Sequence, residues 1–154
     1  MREWARWAAM IATLALMSGC TGGPKGAPRE TLAEYVGISM NVKNTGDKAK
    51  LAALTTGVAR KTIDDLDDGA FKANFIDSHK EFLSLKIKDE RSLTDTRFSI
   101  TYELAYKNKS PNSDDLVTIK KHALLVREGP AARWLISEVQ NLKTNIEHQN
   151  AIAF

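Results

Sequence analysis

Cysteine is almost absent from this sequence, because Cys20 is the only one among 154 residues. A lone thiol excludes a disulfide-stapled scaffold and any zinc site built from several thiolates. The three histidines, His79, His122 and His148, do not have the spacing of three or four residues typical of metal ligands on a helix. The sequence therefore predicts no metal site and no cofactor, and a fold that depends on packing and hydrogen bonds.

The chain also lacks a strong excess of either charge. It has 22 Lys and Arg against 19 Asp and Glu, which gives no argument for a nucleic-acid partner. A membrane-spanning helix needs about 20 apolar residues, and after residue 20 no apolar run is nearly that long. A glycine-rich phosphate loop and a Gly-x-Ser-x-Gly elbow are missing as well. These absences exclude the commonest sequence-encoded nucleotide and hydrolase sites.

What the sequence does contain begins at its first residues. Arg2 and Arg6 precede an apolar run of 11 residues, Trp7 to Met17, and the small residues Ser18 and Gly19 follow. A positive start, an apolar centre and a small-residue cleavage site are the three parts of a secretory signal. The run is too short to cross a bilayer permanently, since that takes about 20 residues. We therefore expect residues 1–19 to be an export signal that is removed.

The segment Leu16-Met17-Ser18-Gly19-Cys20 resembles a bacterial lipobox, the recognition site of the lipoprotein signal peptidase. This resemblance implies that Cys20 becomes the first residue of the mature protein and is acylated on its sulfur and its amine. Each methylene of an acyl chain that enters the membrane contributes about 0.8 kcal/mol of binding free energy, and stable anchoring takes two or more chains. Thr21 follows the cysteine instead of the Asp that often marks inner-membrane retention, so we expect attachment to the outer membrane, on its periplasmic side.

The remaining chain divides into three parts. Residues 20–29 contain three glycines and two prolines after Cys20, a composition typical of a tether. Residues 30–145 are long enough for one domain with its own core. Residues 146–154 are predicted to be a C-terminal tail.

Within the domain the spacing of apolar residues changes once, near Ser78. Apolar residues recur every three to four positions from Glu30 to Ile76, which predicts several short helices. After Ser78 the pattern alternates, and it predicts a short strand over 82–87 and long strands over 97–107, 116–127 and 134–142. Short loops between consecutive strands favour an antiparallel meander. The expected fold class is α+β, with the N-terminal helices packed on one face of a curved antiparallel sheet.

Two short motifs in this order of elements resemble the nuclear transport factor 2-like, or cystatin-like, cone family. Gly46-Asp47 leads into Leu51-Ala52-Ala53-Leu54, and Val126-Arg127-Glu128-Gly129 is followed by Trp134-Leu135-Ile136. The resemblance covers about Glu30 to Asn145 and implies a cone with an internal pocket. In isomerases of this family a Tyr lies seven residues before the Gly of Gly-Asp, where this chain has Ser39. The resemblance therefore supports the fold and not the isomerase reaction.

Four residues are candidates for lining such a pocket: Tyr102, Glu103, His122 and Trp134. If the domain is an enzyme, Glu103 or His122 is the candidate acid or base. The stripe of Phe98, Ile100, Tyr102, Leu104 and Tyr106 has the alternation of a buried strand face, so it also fits an ordinary core.

The remaining charged clusters predict surface positions. Asp64 and Asp65 follow Arg60 and Lys61 by four residues, which favours ion pairs on a solvated helix face. Lys120 and Lys121 are neighbours in a predicted strand and so point to opposite faces, and we expect both to be surface charges.

We expect a non-catalytic envelope lipoprotein that is held to the membrane by its lipid and binds a protein partner or a small apolar ligand. The alternative is an isomerase- or hydrolase-like enzyme that uses the pocket as its active site. A homodimer formed sheet to sheet is a third prediction.

Overall fold

The computed structural model describes residues 27–110 and 113–149. The predicted signal peptide, Cys20, most of the tether and the last five residues lie outside the described residues. The helices are α1 (Pro28–Met40), α2 (Asp47–Ala53), α3 (Gly57–Asp64) and α4 (Asp68–Phe71), with a π-helical segment (Lys72–Ile76) after α4. The strands are β1 (Lys80–Thr94), β2 (Arg97–Ser110), β3 (Ser113–Val126) and β4 (Leu135–Gln149).

The four strands form one antiparallel sheet in the order β1-β2-β3-β4. Each strand pairs with the next along the chain, as a meander requires. Pairing is interrupted at Phe82/Ser84 and at two further places between β1 and β2, and again between β3 and β4. Such bulges bend strands and increase their twist, and the sheet is curved. The predicted α+β class, with helices before a curved antiparallel sheet, is confirmed.

One face of the sheet, which we call the covered face, packs against the helices. Ile100, Tyr102 and Leu104 of β2 lie on it and are buried, as the predicted stripe requires. Leu32 and Val36 of α1 contact them in the same core cluster, because these residues share one side of α1. The opposite face, on which Thr101 and Glu103 lie, is called the open face.

A second cluster lies among the helices themselves. Leu51 of α2, Ile63 of α3 and Phe71 of α4 are buried together, and Phe71 stacks on Phe75 with ring centroids 4.8 Å apart. The helices therefore have a core of their own in addition to the core that they share with the sheet.

The Gly46-Asp47 motif closes the loop between α1 and α2. The buried Asp47 carboxylate accepts hydrogen bonds from Lys50 Nζ at 2.7 Å and from the Lys43 backbone N–H at 3.0 Å. These bonds stabilise the charged form and lower the pKa of Asp47 to about 2. The motif thus fixes the direction in which α2 leaves α1.

The start of α3 is joined to β4. Thr56 donates its N–H to the Ile136 carbonyl at 2.9 Å, and Ile136 donates to the Leu54 carbonyl at 2.9 Å. Gly57 follows with a φ of 53°, a region that side chains disfavour, and a Cβ there would lie 3.2 Å from Ser137 Oγ. This junction holds the helical layer against the edge of the sheet.

Three predicted boundaries are corrected. β1 is 15 residues long and not a short strand over 82–87, because its polar second half pairs with β2 at the edge of the sheet. β4 continues to Gln149, so residues 146–149 are strand and not tail, since they pair with the start of β3. α1 begins at Pro28, inside the predicted tether, because proline is well suited to the first turn of a helix.

The predicted ion pairs Arg60–Asp64 and Lys61–Asp65 are confirmed, with N–O distances of 2.9 and 2.5 Å. In residues 27–110 and 113–149, every helix is too short or too polar to cross a bilayer.

Candidate functional site

A cavity of about 450 Å³ lies between the covered face and the helices. Its wall is formed by residues of α1, α3 and the π-helical segment and by at least one residue of each strand. Its apolar lining comes from half-buried and buried side chains: Val36, Met40, Leu66, Phe75, Leu104, Ile119 and Val139. Its polar lining comes from Tyr35, Tyr102, Tyr106, Lys80, Lys121, Ser39, Thr62, Asn74 and Asn141. The volume is within the range of about 300–1,000 Å³ typical of small-molecule sites.

Lys80 enters the cavity at the start of β1. The π-helical segment ends at Ile76, and His79 then takes a left-handed conformation with a φ of 41°, which is uncommon for a residue with a side chain. The turn lets Lys80 Nζ donate to the Asn74 carbonyl at 3.3 Å. The same ammonium lies 5.7 Å from the centre of the Tyr106 ring. Burial lowers the pKa of Lys80.

Lys121 enters the cavity from β3. It pairs in register with Tyr102 of β2 and Asn141 of β4, so its side chain lies on the covered face. Burial lowers the pKa of Lys121, and the charge of Lys80 lowers it further. The prediction that Lys121 is a surface charge is wrong, because the helices cover the face to which it points.

Three tyrosines line the same cavity as these lysines. Tyr102 is 1% exposed, and its pKa is raised by burial and by the neighbouring Tyr35. Burial also raises the pKa of Tyr35 and of Tyr106. The tyrosines are therefore neutral at physiological pH and offer ring faces and hydroxyl groups to a ligand.

The charge inside the cavity has one sign. The lining contains Lys80 and Lys121 and no Asp, Glu or His. Within the described ranges, neither lysine forms an ion pair with a carboxylate. Apolar walls with two ammonium groups favour a partly apolar ligand with an acceptor or a negative charge.

The structure does not bring the four predicted pocket residues together. Only Tyr102 lines the cavity. Glu103 and His122 lie on the open face, because neighbouring residues in a strand point to opposite faces. Trp134 is buried in the core near the N-terminus of α1, where its carbonyl accepts from Thr31 Oγ1 at 3.3 Å.

On the open face, Glu103 and His122 both have polar partners. Glu103 forms an ion pair with Lys88 at 3.6 Å and lies opposite Lys120 in the register of β2 and β3. His122 Nε2 shares a hydrogen bond of 2.8 Å with Ser99 Oγ. Glu103 and His122 are thus paired on the outer surface of the sheet and not placed in a cavity.

Among the residues that the structure describes, no group of three or more His, Asp and Glu side chains is arranged to hold a metal ion.

Sequence reasoning missed Lys80 and Lys121 as site residues. A signal for Lys121 existed, since Ile119, Lys121, Ala123 and Leu125 alternate on one face and the lysine is the charged member of an otherwise apolar set. No comparable signal existed for Lys80, because its position depends on the π-helical segment and on the turn at His79.

No protein-family model matches this chain, and a search of curated proteins finds no match either. The site must therefore be interpreted from its own geometry. That geometry is a mostly apolar cavity with two ammonium groups and three neutral tyrosines.

Proposed function

We propose that this protein is an outer-membrane lipoprotein whose periplasmic domain binds a small, largely apolar molecule. The observation that supports this most is the cavity of about 450 Å³ under the helices, with its apolar and aromatic lining. Cavities of this size and composition are the usual form of small-molecule sites.

The proposal includes a nuclear transport factor 2-like cone as the finer description of the fold. Its support is that the helices precede the sheet, cover one face of it, and enclose a cavity against its curved surface. Gly46-Asp47 lies at the α1–α2 junction, where the family motif places it.

The lipid anchor is supported by the lipobox-like segment before Cys20. The cavity-lining residues of α1 begin at Tyr35, about 10 Å along the helix from Pro28, where the described part of the tether joins the domain.

Acylation is tested with radiolabelled palmitate in growing bacterial cells. The unaltered protein should take up label and the Cys20→Ala variant should not. Equal labelling of the two proteins would remove the lipoprotein part of the proposal.

Binding is preferred to the predicted catalysis because the candidate acid and base are not in the cavity. The alternative of an isomerase or hydrolase assigned that role to Glu103 or His122, and both lie on the other face of the sheet. The predicted protein partner and homodimer stay predictions.

The cavity is tested by filling it. The probe is phenylnaphthylamine, an uncharged dye that fluoresces in apolar sites, and the protein is the chain from residue 20 with Cys20→Ser. Ser39 of α1 lines the cavity, so Ser39→Trp should abolish saturable dye binding. Gly37→Trp is the matched control, because Gly37 is in the same helix and nothing lies within 4 Å of a Cβ there.

We expect one dye per chain, lost in Ser39→Trp and retained in Gly37→Trp, with the circular dichroism spectrum of each variant unchanged. Absence of binding to the unaltered domain, or equal binding to both variants, would contradict the proposed function.

A further inference from the structure

We propose that the ligand is an anionic amphiphile whose carboxylate, sulfonate or phosphate group lies between Lys80 and Lys121 while its apolar body lies against the tyrosine rings. This inference rests on the proposed function, since it names the class of molecule that the same cavity takes.

The first argument is that two half-buried lysines share one cavity whose described lining contains no carboxylate. Lys50, Lys61, Lys88 and Lys109 each pair with a carboxylate on the surface: Asp47, Asp65, Glu103 and Glu81. Lys80 and Lys121 are more buried than those lysines, yet in the described residues they have no such partner. Unpaired charge away from water is costly, so a site that retains two such groups is suited to an anion.

The second argument is what Lys80 does contact. Its ammonium donates to the Asn74 carbonyl at 3.3 Å and faces the Tyr106 ring at 5.7 Å. Both contacts are with neutral groups, and a Lys ammonium has three donors. Donor capacity is therefore left for a ligand, and charge-assisted hydrogen bonds to an anion are roughly twice as strong as neutral ones.

The third argument is that Lys80 and Lys121 act together. Each ammonium disfavours charge on the other, since Lys80 contributes to the lowered pKa of Lys121. An anion between them removes this repulsion and replaces the lost hydration of both. One bound anion thus offsets both the mutual repulsion of the two lysines and their desolvation.

The fourth argument separates an amphiphile from a simple inorganic anion. The rest of the cavity lining includes apolar side chains that are only half-buried, among them Met40, Phe75 and Ile119. Such walls gain from contact with an apolar body and offer nothing to a second charge. A molecule with one anionic end and one apolar end matches both parts.

The experiment compares two dyes on the chain from residue 20 with Cys20→Ser. Anilinonaphthalene sulfonate and phenylnaphthylamine share the same ring system, and only the first has an anionic group. Each dye is titrated into the unaltered domain, into Lys121→Met and into Lys120→Met. Lys120 is the matched control, because it is the neighbouring residue of the same strand and lies on the open face.

We expect the sulfonate dye to bind the unaltered domain about a hundredfold more tightly than the neutral dye, the effect of two charge-assisted contacts of about tenfold each. Lys121→Met should weaken the sulfonate dye about tenfold, because one of the two contacts is lost, and should leave the neutral dye unchanged. Lys120→Met should change neither affinity.

The outcomes separate the two proposals. If the neutral dye does not bind the unaltered domain, the proposed function fails. If both dyes bind with equal affinity, or if Lys121→Met and Lys120→Met weaken the sulfonate dye equally, only the anion inference fails. Should Lys121→Met not fold, Lys80→Met must weaken the sulfonate dye selectively and Lys121→Arg must retain its binding, and failure of either result overturns the inference.

Discussion

Neighbouring lysines on the two faces of the sheet differ in their burial and in the residues opposite them. Lys120 is exposed on the open face, opposite Glu103, which pairs with Lys88. Lys121, the next residue of β3, is half-buried on the covered face opposite Tyr102 and faces a second lysine in the cavity. Of these two adjacent lysines, Lys120 thus lies opposite a carboxylate on β2 and Lys121 lies opposite a tyrosine.

This difference teaches that the two faces surround their charges differently. On the open face Glu103 is paired with Lys88, and His122 with Ser99. On the covered face the described lining of the cavity holds two ammonium groups beside a buried core and contains no carboxylate. Ligand binding is therefore expected on the covered face, whereas the predicted pocket residues Glu103 and His122 lie on the open face.

The largest expected effect is on the free energy of unfolding, and it compares a core residue of β2 with its neighbour on the open face. Ile100 is 0% exposed on the covered face, and Thr101 is its neighbour on the open face. We expect Ile100→Ala to lower the free energy of unfolding by about 2–5 kcal/mol, because it leaves a cavity in the core. Thr101→Ala should change it by about 0.5 kcal/mol or less. Urea denaturation measures both values, and equal losses would mean that the two faces are not distinct.

The intermediate effect concerns the unpaired charge. Lys121→Met should raise the free energy of unfolding by about 1–2 kcal/mol at neutral pH, because it removes a desolvated ammonium that has no counter-charge. Lys120→Met should have little effect, since surface charges contribute about 0–1 kcal/mol. Thermal unfolding of both variants without ligand checks this prediction, and a destabilised Lys121→Met would contradict it.

The same variant predicts a pH dependence. Burial lowers the folded-state pKa of Lys121 below 10.5, the value of a free lysine. Below the lowered pKa, Lys121 is charged in the folded state and the cost of burying that charge is fully present. Between the lowered pKa and 10.5 the unfolded state binds more protons than the folded state, so the stability of the unaltered protein rises with pH in this window. The stability advantage of Lys121→Met should therefore shrink as the pH rises through that window, as parallel denaturation series at several pH values would show.

The smallest expected effect is on the open face. Glu103→Gln and His122→Ala should leave the affinity for both dyes unchanged and alter the free energy of unfolding by less than about 1 kcal/mol. A loss of dye binding in either variant would place the site on the open face and restore the enzyme alternative with its candidate acid and base.

Much of the fold was predictable, because periodicity reports which face of an element is buried. The alternation of Phe98 to Tyr106 identified the covered face of β2, and the spacing of Arg60 and Asp64 identified a solvated helix face. The second half of β1 was missed for a physical reason. It is a polar edge segment that is held by backbone pairing with β2, and backbone hydrogen bonds leave no side-chain pattern.

The site was less predictable, because it depends on which elements meet. Lys121 could be assigned to one face from the sequence, but whether that face was covered depended on where α1 and α3 pack. Lys80 reaches the cavity through a π-helical segment and a left-handed His79, neither of which has a clear sequence signature. Grouping Tyr102 with Glu103 also ignored the alternation that separates them.

The most direct test of the central claim is an NMR titration of the lysine ammonium groups. The protein is isotope-labelled at lysine, and the signals of Lys121 and Lys120 are assigned with the two Met variants. We predict that Lys121 titrates below 10.5 without ligand and that its pKa rises when anilinonaphthalene sulfonate binds, while the dye leaves the Lys120 signal in place. An ordinary pKa for Lys121 that the dye does not shift would contradict the account.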